Sequence, residues 1–389
     1  MANYTWSDCQ EDLRGLLHGT ELNKIKNLTR AAWRAGRNLL AKVNPAETRQ
    51  IVQITLYDGV YDYALESDFK QMVDLRPQVS RQLSDNFAQK RSEDFDLNKA
   101  LKNNLIQIKD DGGTKSLRVA KTLTPSKTVV EELDATTGWA VVGDATNLTA
   151  DSLDYVSGGA SLNFDLNASG SAGGIEKSTI SPAVDLTDHD EKSSLFAWVY
   201  LPDISIITNV ILRWGNDTSN YWSRTVTAAH NESAFHNGWN LLRFDWNGAT
   251  ETGTVAPASI DYLRITVTYN GTAETDIRVD HIFSSLGKIW EIEYYSNAIF
   301  RATGGTFKSQ PTLDTDILNL AEDSYNIFLF ELAFFLAQQL QGEDSSFDAK
   351  FFKEELHGDG RRKPGLYALY EQNHPDERME ITDSYYTIR

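Results

Sequence analysis

Val210-Ile-Leu-Arg-Trp-Gly-Asn-Asp-Thr-Ser-Asn-Tyr-Trp222 decides the fold class of the middle of this chain. A short alternating apolar run ends in a cluster of Gly, Asn, Asp and Ser, and a second aromatic run follows at once. Short runs separated by such turn residues are typical of antiparallel strands in an all-β protein. The same pattern recurs at 195–202, 238–244, 260–267 and 277–282.

Charge sets the same segment apart from the rest of the chain. Residues 125–283 hold 8 Lys and Arg against 21 Asp and Glu, whereas the two flanks hold 29 against 34. Most of the net charge of −18 and six of the nine tryptophans therefore lie in the middle. We predict an α+β multidomain protein in which a jelly-roll β-sandwich, 125–283, is inserted into one host domain made of 1–124 and 284–389.

The flanks have mainly helical periodicity, so we predict a helical host with a small β element. Apolar residues three or four apart predict helices over 21–43 and 314–341, and we expect Leu332 and Phe335 of the second helix to be buried. Alternating runs predict strands, whereas 67–77 predicts a helical turn followed by an extended exit, since Pro77 disfavours helix at Arg76. The predicted strands are 51–56, 105–109, 115–119 and 288–296. Because both flanks are needed for one core, we expect removal of 127–282 to leave a folded host.

The composition excludes several classes of protein. A net charge of −18 argues against a protein that holds nucleic acid tightly, since that affinity comes from Lys and Arg. The single cysteine, Cys9, excludes an internal disulfide. The first residues lack the basic and apolar regions of a signal peptide, and the longest apolar run is shorter than the roughly 20 residues of a membrane span. We therefore expect neither secretion nor a membrane partner.

The sequence contains none of the common catalytic patterns. There is no Gly-x-Ser-x-Gly, no P-loop, no His-Glu-x-x-His and no Rossmann glycine pattern, and the seven histidines are scattered. We predict that the chain is not an enzyme. A pair of carboxylates for glycoside hydrolysis stays an open alternative, because such carboxylates are close in space but need not be close in sequence.

The succession of alternating runs over 125–283 resembles the jelly roll of carbohydrate-binding modules. The resemblance implies that exposed aromatic rings contact a sugar, for which Trp214, Tyr221, Trp222 and Trp246 are candidates; packing in the core or at its rim is the alternative. It also implies one structural calcium ion between the first and last strands. Asp134 and Asp280 would supply oxygen ligands for it, with two solvated carboxylates as the alternative.

Three stretches of the flanks are Tyr61-Asp-Tyr-Ala-Leu-Glu-Ser-Asp-Phe-Lys-Gln-Met-Val-Asp-Leu-Arg-Pro77, 331–340 and 366–370. Together they resemble segments of the head-to-tail adaptors of tailed bacteriophages. The resemblance implies a virion protein, made in the host cytoplasm, that forms a homo-oligomeric ring with itself. Such a ring would bind the portal protein and a tail or nozzle protein, with only weak contact to transiting DNA. The sandwich would project outward to a capsid, a tail fibre or a glycan.

Two groups near the C-terminus are candidates for partner binding. Arg361 and Arg362 lie between glycines, and Tyr385, Tyr386 and Ile388 make an apolar tail. We expect the tail to supply most of the binding energy and the arginines mainly the association rate; packing of the tail on its own subunit is the alternative. The alternative function for the whole chain is a carbohydrate-binding protein or an accessory to a polysaccharide-degrading enzyme.

Overall fold

The computed structural model describes residues 4–17, 25, 27–77, 106–111, 114–119, 127–189, 193–340, 349–360 and 363–374. Strands account for 44% of the structure and helices for 23%. Among the described residues the α-helices are α1 (Trp6–Leu16), α2 (Leu28–Lys42), α3 (Glu322–Leu340), α4 (Ala349–His357) and α5 (Leu366–Asn373). No helix of that part of the chain is both long and apolar enough to cross a membrane.

The strands fall into three groups along the chain. The first flank has β1 (Tyr4–Thr5), β2 (Arg49–Leu56), β3 (Asp62–Ala64), β4 (Phe69–Pro77), β5 (Ile106–Asp111) and β6 (Thr114–Val119). The middle has β7 (Lys127–Glu131), β8 (Trp139–Gly143), β9 (Ala145–Asp151), β10 (Ser161–Leu166), β11 (Ala172–Lys177), β12 (Ser193–Leu201), β13 (Ile207–Gly215), β14 (Tyr221–Val226), β15 (Gly238–Asp245), β16 (Thr250–Thr252), β17 (Tyr262–Tyr269) and β18 (Glu274–Leu286). The second flank has β19 (Lys288–Ser296), β20 (Phe300–Arg301), β21 (Phe307–Lys308) and β22 (Ile317–Leu318).

The middle strands form two six-stranded antiparallel sheets. Sheet I has the order β15-β12-β18-β10-β9, with β7 beside β18, and sheet II has the order β16-β14-β13-β17-β11-β8. Side chains from both sheets fill one core between them, including Phe164 and Leu195 of sheet I and Leu212 and Ile265 of sheet II. On strands such as β13 and β17, apolar residues at every second position lie in this core, which explains why the alternating runs form a sandwich. The expected all-β sandwich is confirmed.

The helices of both flanks pack into a second core. Leu13 of α1, Leu39 of α2 and Leu332 of α3 are fully buried there together with residues of α4 and α5. A buried carboxylate, Glu331, joins three of these helices, since Lys42 Nζ lies 3.0 Å and the Tyr367 hydroxyl 2.8 Å from its Oε1. The N- and C-terminal flanks thus share one core, although a helical adaptor fold is not confirmed.

The flanks contain much more sheet than the small β element that the sequence predicts. In the described residues, ten flank strands form three sheets, with the orders β1-β22-β20-β21, β2-β19-β4 and β3-β6-β5. Of the helical turn and extended exit predicted over 67–77, the turn is wrong and the extended part agrees with the structure, because Phe69–Pro77 is a strand that pairs with β19 along its length. Phe69 and Leu75 of this strand are buried, so cross-strand packing decides its conformation.

Two helix starts also differ from the prediction. The helix predicted over 21–43 begins at Leu28, and residues 21–24 and 26 lie outside the described part. The helix predicted over 314–341 begins only at Glu322, because Ile317 and Leu318 pair with β1 and β20 instead.

A third core joins the sandwich to the flanks. Phe196, Leu241 and Phe283 on the outer side of sheet I pack against flank residues, among them Leu56 and Trp290. The rings of Phe196 and Phe283 stack with their centroids 5.1 Å apart. The Ser194 and Tyr57 hydroxyls lie 3.2 Å apart across the same contact. One side of the sandwich is therefore covered by the host.

Candidate functional site

Strand alternation in sheet II shows which side chains lie on the uncovered side of the sandwich. Leu263, Ile265 and Val267 of β17 lie in the core, so the residues between them point away from it. The same reasoning applied to β11, β13 and β14 defines a set that we call the outer face of sheet II. The members used below are Glu176, Ile211, Arg213, Tyr221, Ser223, Tyr262, Arg264 and Thr266.

Strand register arranges these side chains in rows across the sheet. Glu176 on β11 is opposite Arg264 on β17, which is opposite Arg213 on β13, which in turn is opposite Ser223 on β14. In the neighbouring row, Gly215 lies between Tyr262 and Tyr221. Directly opposite residues of antiparallel strands are in side-chain contact range, so each row is a set of neighbours.

The two tyrosines form the aromatic part of the outer face. Their ring centroids are 6.2 Å apart with the planes inclined at 49°. Arg213 Cζ lies 4.8 Å from the Tyr221 ring centroid, within the range of a cation–π contact. Tyr221 is half-buried and Tyr262 fully buried. Because Gly215 has no side chain, no side chain of β13 separates the two rings, and Thr252 of β16 follows Tyr221 in the same row.

A carboxylate and a second arginine form the polar part. The Tyr262 hydroxyl donates to Glu176 Oε2 at 3.4 Å, and Arg264 Nη1 lies 3.8 Å from the same oxygen. Arg264 Nε also donates to Thr266 Oγ1 at 3.4 Å. Burial, followed by the nearby Glu176 carboxylate, raises the pKa of Tyr262, which keeps its hydroxyl protonated and able to donate.

The outer face of sheet II is open to solvent. The two buried clusters that contain flank residues include no residue of sheet II. The side chains of Arg264 and Glu176 are 27% and 25% exposed, so they are partly ordered by their neighbours yet accessible. Rigid strands therefore present Tyr221, two arginines and a glutamate to a molecule outside the chain, with the buried Tyr262 ring behind them.

Three of the four predicted sugar-contacting aromatics lie on the other side of sheet II. Trp214 is 0% and Trp246 is 6% exposed, and both belong to the sandwich core, with Trp222 packed against it. Their rings meet one another, with the Trp214 and Trp246 centroids 5.5 Å apart. The expectation of exposed tryptophan rings is corrected, because the pleat directs Trp214 and Trp222 inward and Tyr221 outward.

The two predicted calcium ligands hold one loop from two sides. Asp134 Oδ1 accepts the amides of Gly159 and Ala160 at 2.6 and 3.0 Å, and Asp280 Oδ2 accepts those of Val156 and Ser157 at 2.6 and 2.9 Å. A Cβ at residue 158, where glycine has a φ of +68°, would collide with Asp134.

Asp280 is fully buried, its Oδ1 has no hydrogen-bond partner, and burial raises the pKa of its carboxyl. One free oxygen is not a calcium site, and within the described ranges no three His, Cys, Asp or Glu side chains converge on a common point. The residues as placed therefore do not fit the ion, and structural calcium stays a prediction from the sequence.

The sequence does not single out most of the outer face. The period-two pattern could have placed four of its residues on one side of the sheet, because each of them alternates with core residues. These four are Arg213, Tyr262, Arg264 and Glu176. The pattern could not have placed β11 beside β17, since sheet order comes from long-range pairing. All five predicted partner-binding residues lie outside the described residues: Arg361, Arg362, Tyr385, Tyr386 and Ile388.

No protein-family model and no curated protein matches the chain. Solved structures similar to it include the family 11 carbohydrate-binding module from Clostridium thermocellum in complex with a β-1,3-1,4-mixed-linked tetrasaccharide. That match has 10% identity and a TM-score of 0.29, and it covers 41% of this chain and 95% of that one. The family 30 carbohydrate-binding module of the C. thermocellum cellulosomal cellulase Cel9D-Cel44B has 12% identity and a TM-score of 0.29, with 42% and 96% covered.

A bacteriophage protein is also among the similar structures. The enzymatically active domain of tailspike protein 4 of bacteriophage CBA120 has 12% identity and a TM-score of 0.25, covering 40% of this chain and 20% of that one. These findings contain no evidence for a head-to-tail adaptor, so that resemblance stays a prediction from the sequence. Similarities of this size assign neither a ligand nor an activity to the chain.

Proposed function

We propose that this chain binds a glycan on the outer face of sheet II. The observation that carries the proposal is the half-buried ring of Tyr221, which lies beside Arg213 on the side of the sandwich that no flank core covers. A sugar ring has an apolar C–H face that packs on an aromatic ring, and hydroxyls that need hydrogen-bond partners. Both kinds of partner are available on the same face.

The polar neighbours of Tyr221 suit the hydroxyls of a sugar. Arg213 and Arg264 supply donors, Glu176 supplies acceptors, and Ser223 and Thr266 can do either. All of them stand on strands of one sheet, so little conformational entropy is lost when a ligand binds. A glycan chain could lie along the rows that cross the strands, with one sugar ring on Tyr221.

Isothermal titration calorimetry of the full chain, with ligands first found on a glycan array, tests the proposal. We expect Tyr221→Ala to weaken binding about tenfold, which corresponds to the loss of one aromatic contact. Tyr155→Ala is the matched control, because Tyr155 is 44% exposed on the loop that joins β9 to β10, away from this face. Equal affinities of wild type and Tyr221→Ala, or no binding to any glycan on the array, would contradict the proposal.

Two further expectations from the sequence are tested alongside. We expect no hydrolysis of a bound glycan, which a reducing-sugar assay measures directly. The virion adaptor is the other candidate function, and it rests on the resemblance of the flanks alone. It requires a ring that binds a portal, so mass photometry of the protein alone and with a portal ring measures what it predicts.

A further inference from the structure

The outer face of sheet II contains a pair of like charges in direct opposition. Arg213 and Arg264 are cross-strand partners on β13 and β17. Like charges at directly opposite positions destabilise a sheet unless something neutralises them. The row that contains this pair holds a single carboxylate, Glu176, on the far side of Arg264.

That carboxylate serves only one of the two arginines. Glu176 Oε2 lies 3.8 Å from Arg264 Nη1 and also accepts the Tyr262 hydroxyl. Across the described part of the chain, Arg213 has no carboxylate within ion-pair distance, and its guanidinium instead lies over the Tyr221 ring. One positive charge on this face is therefore left without a counter-charge.

The local charge is opposite to that of the surrounding segment. Residues 125–283 carry 8 Lys and Arg against 21 Asp and Glu, yet this row carries two arginines and one glutamate. An acidic surround repels polyanions that do not fit the site, while a half-buried arginine pair attracts one anionic group strongly at short range. Such an arrangement favours a specific anionic ligand over general binding of polyanions.

We infer that the outer face of sheet II takes an anionic glycan, whose acidic group lies between Arg213 and Arg264 while its sugar ring packs on Tyr221. The inference rests on the proposed function and names the chemical class of its ligand. Arginine suits this role because its planar guanidinium can bind a carboxylate or a sulfate ester through two parallel hydrogen bonds. The acidic group would supply the counter-charge that Arg213 lacks.

Calorimetry of the full chain with three hexasaccharide probes tests the inference. Oligogalacturonate carries carboxylates, a κ-carrageenan hexasaccharide carries sulfate esters, and carboxyl-reduced oligogalacturonate is the neutral counterpart of the first. Arg213→Gln and Arg264→Gln remove one charge each from the pair. Arg224→Gln is the matched control, since Arg224 lies on the opposite side of the same sheet, where it donates to the Gly248 carbonyl.

We expect one anionic probe to bind about tenfold more tightly than the neutral probe, and Arg213→Gln or Arg264→Gln to remove that preference. Both variants should weaken the anionic probe more than the neutral probe, because each arginine also donates to sugar hydroxyls, and Arg224→Gln should behave as wild type. Which anionic probe binds identifies the source of the acidic group.

Equal or tighter binding of the neutral probe, with Tyr221→Ala still weakening it, would overturn the anionic preference and leave glycan binding intact. Failure of all three probes, together with every glycan on the array, would overturn both proposals. An equal loss of affinity in Arg224→Gln would also contradict the inference, since it would trace the effect to net charge instead of to this arginine pair.

Discussion

The carboxylate of Asp316 holds the segment of the second flank that contacts the N-terminus. Its Oδ2 accepts the amides of Thr312 and Leu313 at 2.7 and 3.0 Å, and Lys308 Nζ lies 2.8 Å from Oδ1. Burial acts to raise the pKa of Asp316, but the hydrogen bonds from Lys308 and the two amides outweigh it and lower that pKa to about 2, from 3.8. The Asp316 carbonyl also accepts the Trp6 amide at the start of α1.

A depressed pKa in the folded state makes stability depend on pH. The contribution of Asp316 should be complete above its unfolded pKa near 4, and it should be lost as the pH falls through about 2. The size of the shift corresponds to about 2 kcal/mol of unfolding free energy. We expect Asp316→Asn to be less stable than wild type by about that amount at pH 6 and equally stable near pH 2, as measured by urea unfolding.

Asp314→Asn is the control for this measurement. Asp314 is exposed two residues earlier and accepts a hydrogen bond from Gln10 at 2.9 Å. Its replacement should change stability little at either pH. A difference between wild type and Asp316→Asn that does not shrink as the pH falls would show that the carboxylate charge is not the cause.

Single residues were the hardest part to predict, because a residue type does not say which side of a sheet it faces. Tryptophan is the best sugar platform by chemistry, yet Trp214 is fully buried and the less conspicuous Tyr221 is on the outer face. Alternation within β13 and β14 contained this information once the core side was known. The pairing of Arg213 with Arg264 could not be predicted in this way, because these residues are far apart in sequence and become neighbours only through the order of the strands in the sheet.

The helix α3 allows a test at the scale of one element. The sequence treats Leu332 and Phe335 as equivalent buried positions, but Leu332 is 0% exposed, whereas Phe335 is half-buried with Arg34 Cζ 5.0 Å from its ring. We expect Leu332→Ala to lower the unfolding free energy by roughly 3 kcal/mol, because it leaves a cavity in the helical core. Phe335→Ala should cost clearly less, since its site is open to solvent and can collapse.

Chemical denaturation followed by far-UV circular dichroism near 222 nm measures this difference, since most of that signal comes from helices. Equal losses in the two variants would mean that α3 buries both residues, as the sequence suggested. A loss in Phe335→Ala larger than that in Leu332→Ala would indicate that the helix faces the core through another side.

Whole elements were predicted well where one local pattern sufficed. The strand predicted over 288–296 is found at Lys288–Ser296. The hairpin predicted from 105–109 and 115–119 is found as Ile106–Asp111 paired with Thr114–Val119. The prediction fails at Phe69–Pro77, whose local sequence favours a turn but whose partner, β19, comes more than 200 residues later. Long-range pairing of this kind overrides local propensity, and a single sequence does not reveal it.

At the scale of the whole molecule, the described residues form three hydrophobic cores. The sandwich core and the helical core share no residue, and the third core joins the outer side of sheet I to flank strands, among them β2, β4 and β19. The chain returns from the inserted segment to the host through β18, which continues past Gly287 into β19. The sandwich is thus anchored by its covered side, and the opposite side, the outer face of sheet II, is the one available to a ligand.

This arrangement changes the outcome expected when the insertion is excised. Removing 127–282 takes Phe196 and Leu241 out of the third core and leaves Leu56 and Trp290 without their partners. Burying a side chain of this size contributes about 2 kcal/mol, so the host loses roughly 4 kcal/mol from a total that is commonly 5–15 kcal/mol. We therefore expect the excised host to aggregate or to bind a hydrophobic dye, contrary to the folded host that the sequence suggested.

The isolated sandwich should behave differently, because its own core stays complete. A fragment of residues 127–286 is expected to fold but to associate through Phe196, Leu241 and Phe283, which are exposed once the flanks are gone. Replacing Phe196 and Leu241 with serine should make that fragment monomeric by light scattering, with its thermal transition retained. In the full chain the same two replacements should instead lower stability, because there they remove side chains from a packed core. A soluble excised host that unfolds cooperatively and binds no dye would mean that the third core is dispensable, and the sandwich would then be a removable insertion after all.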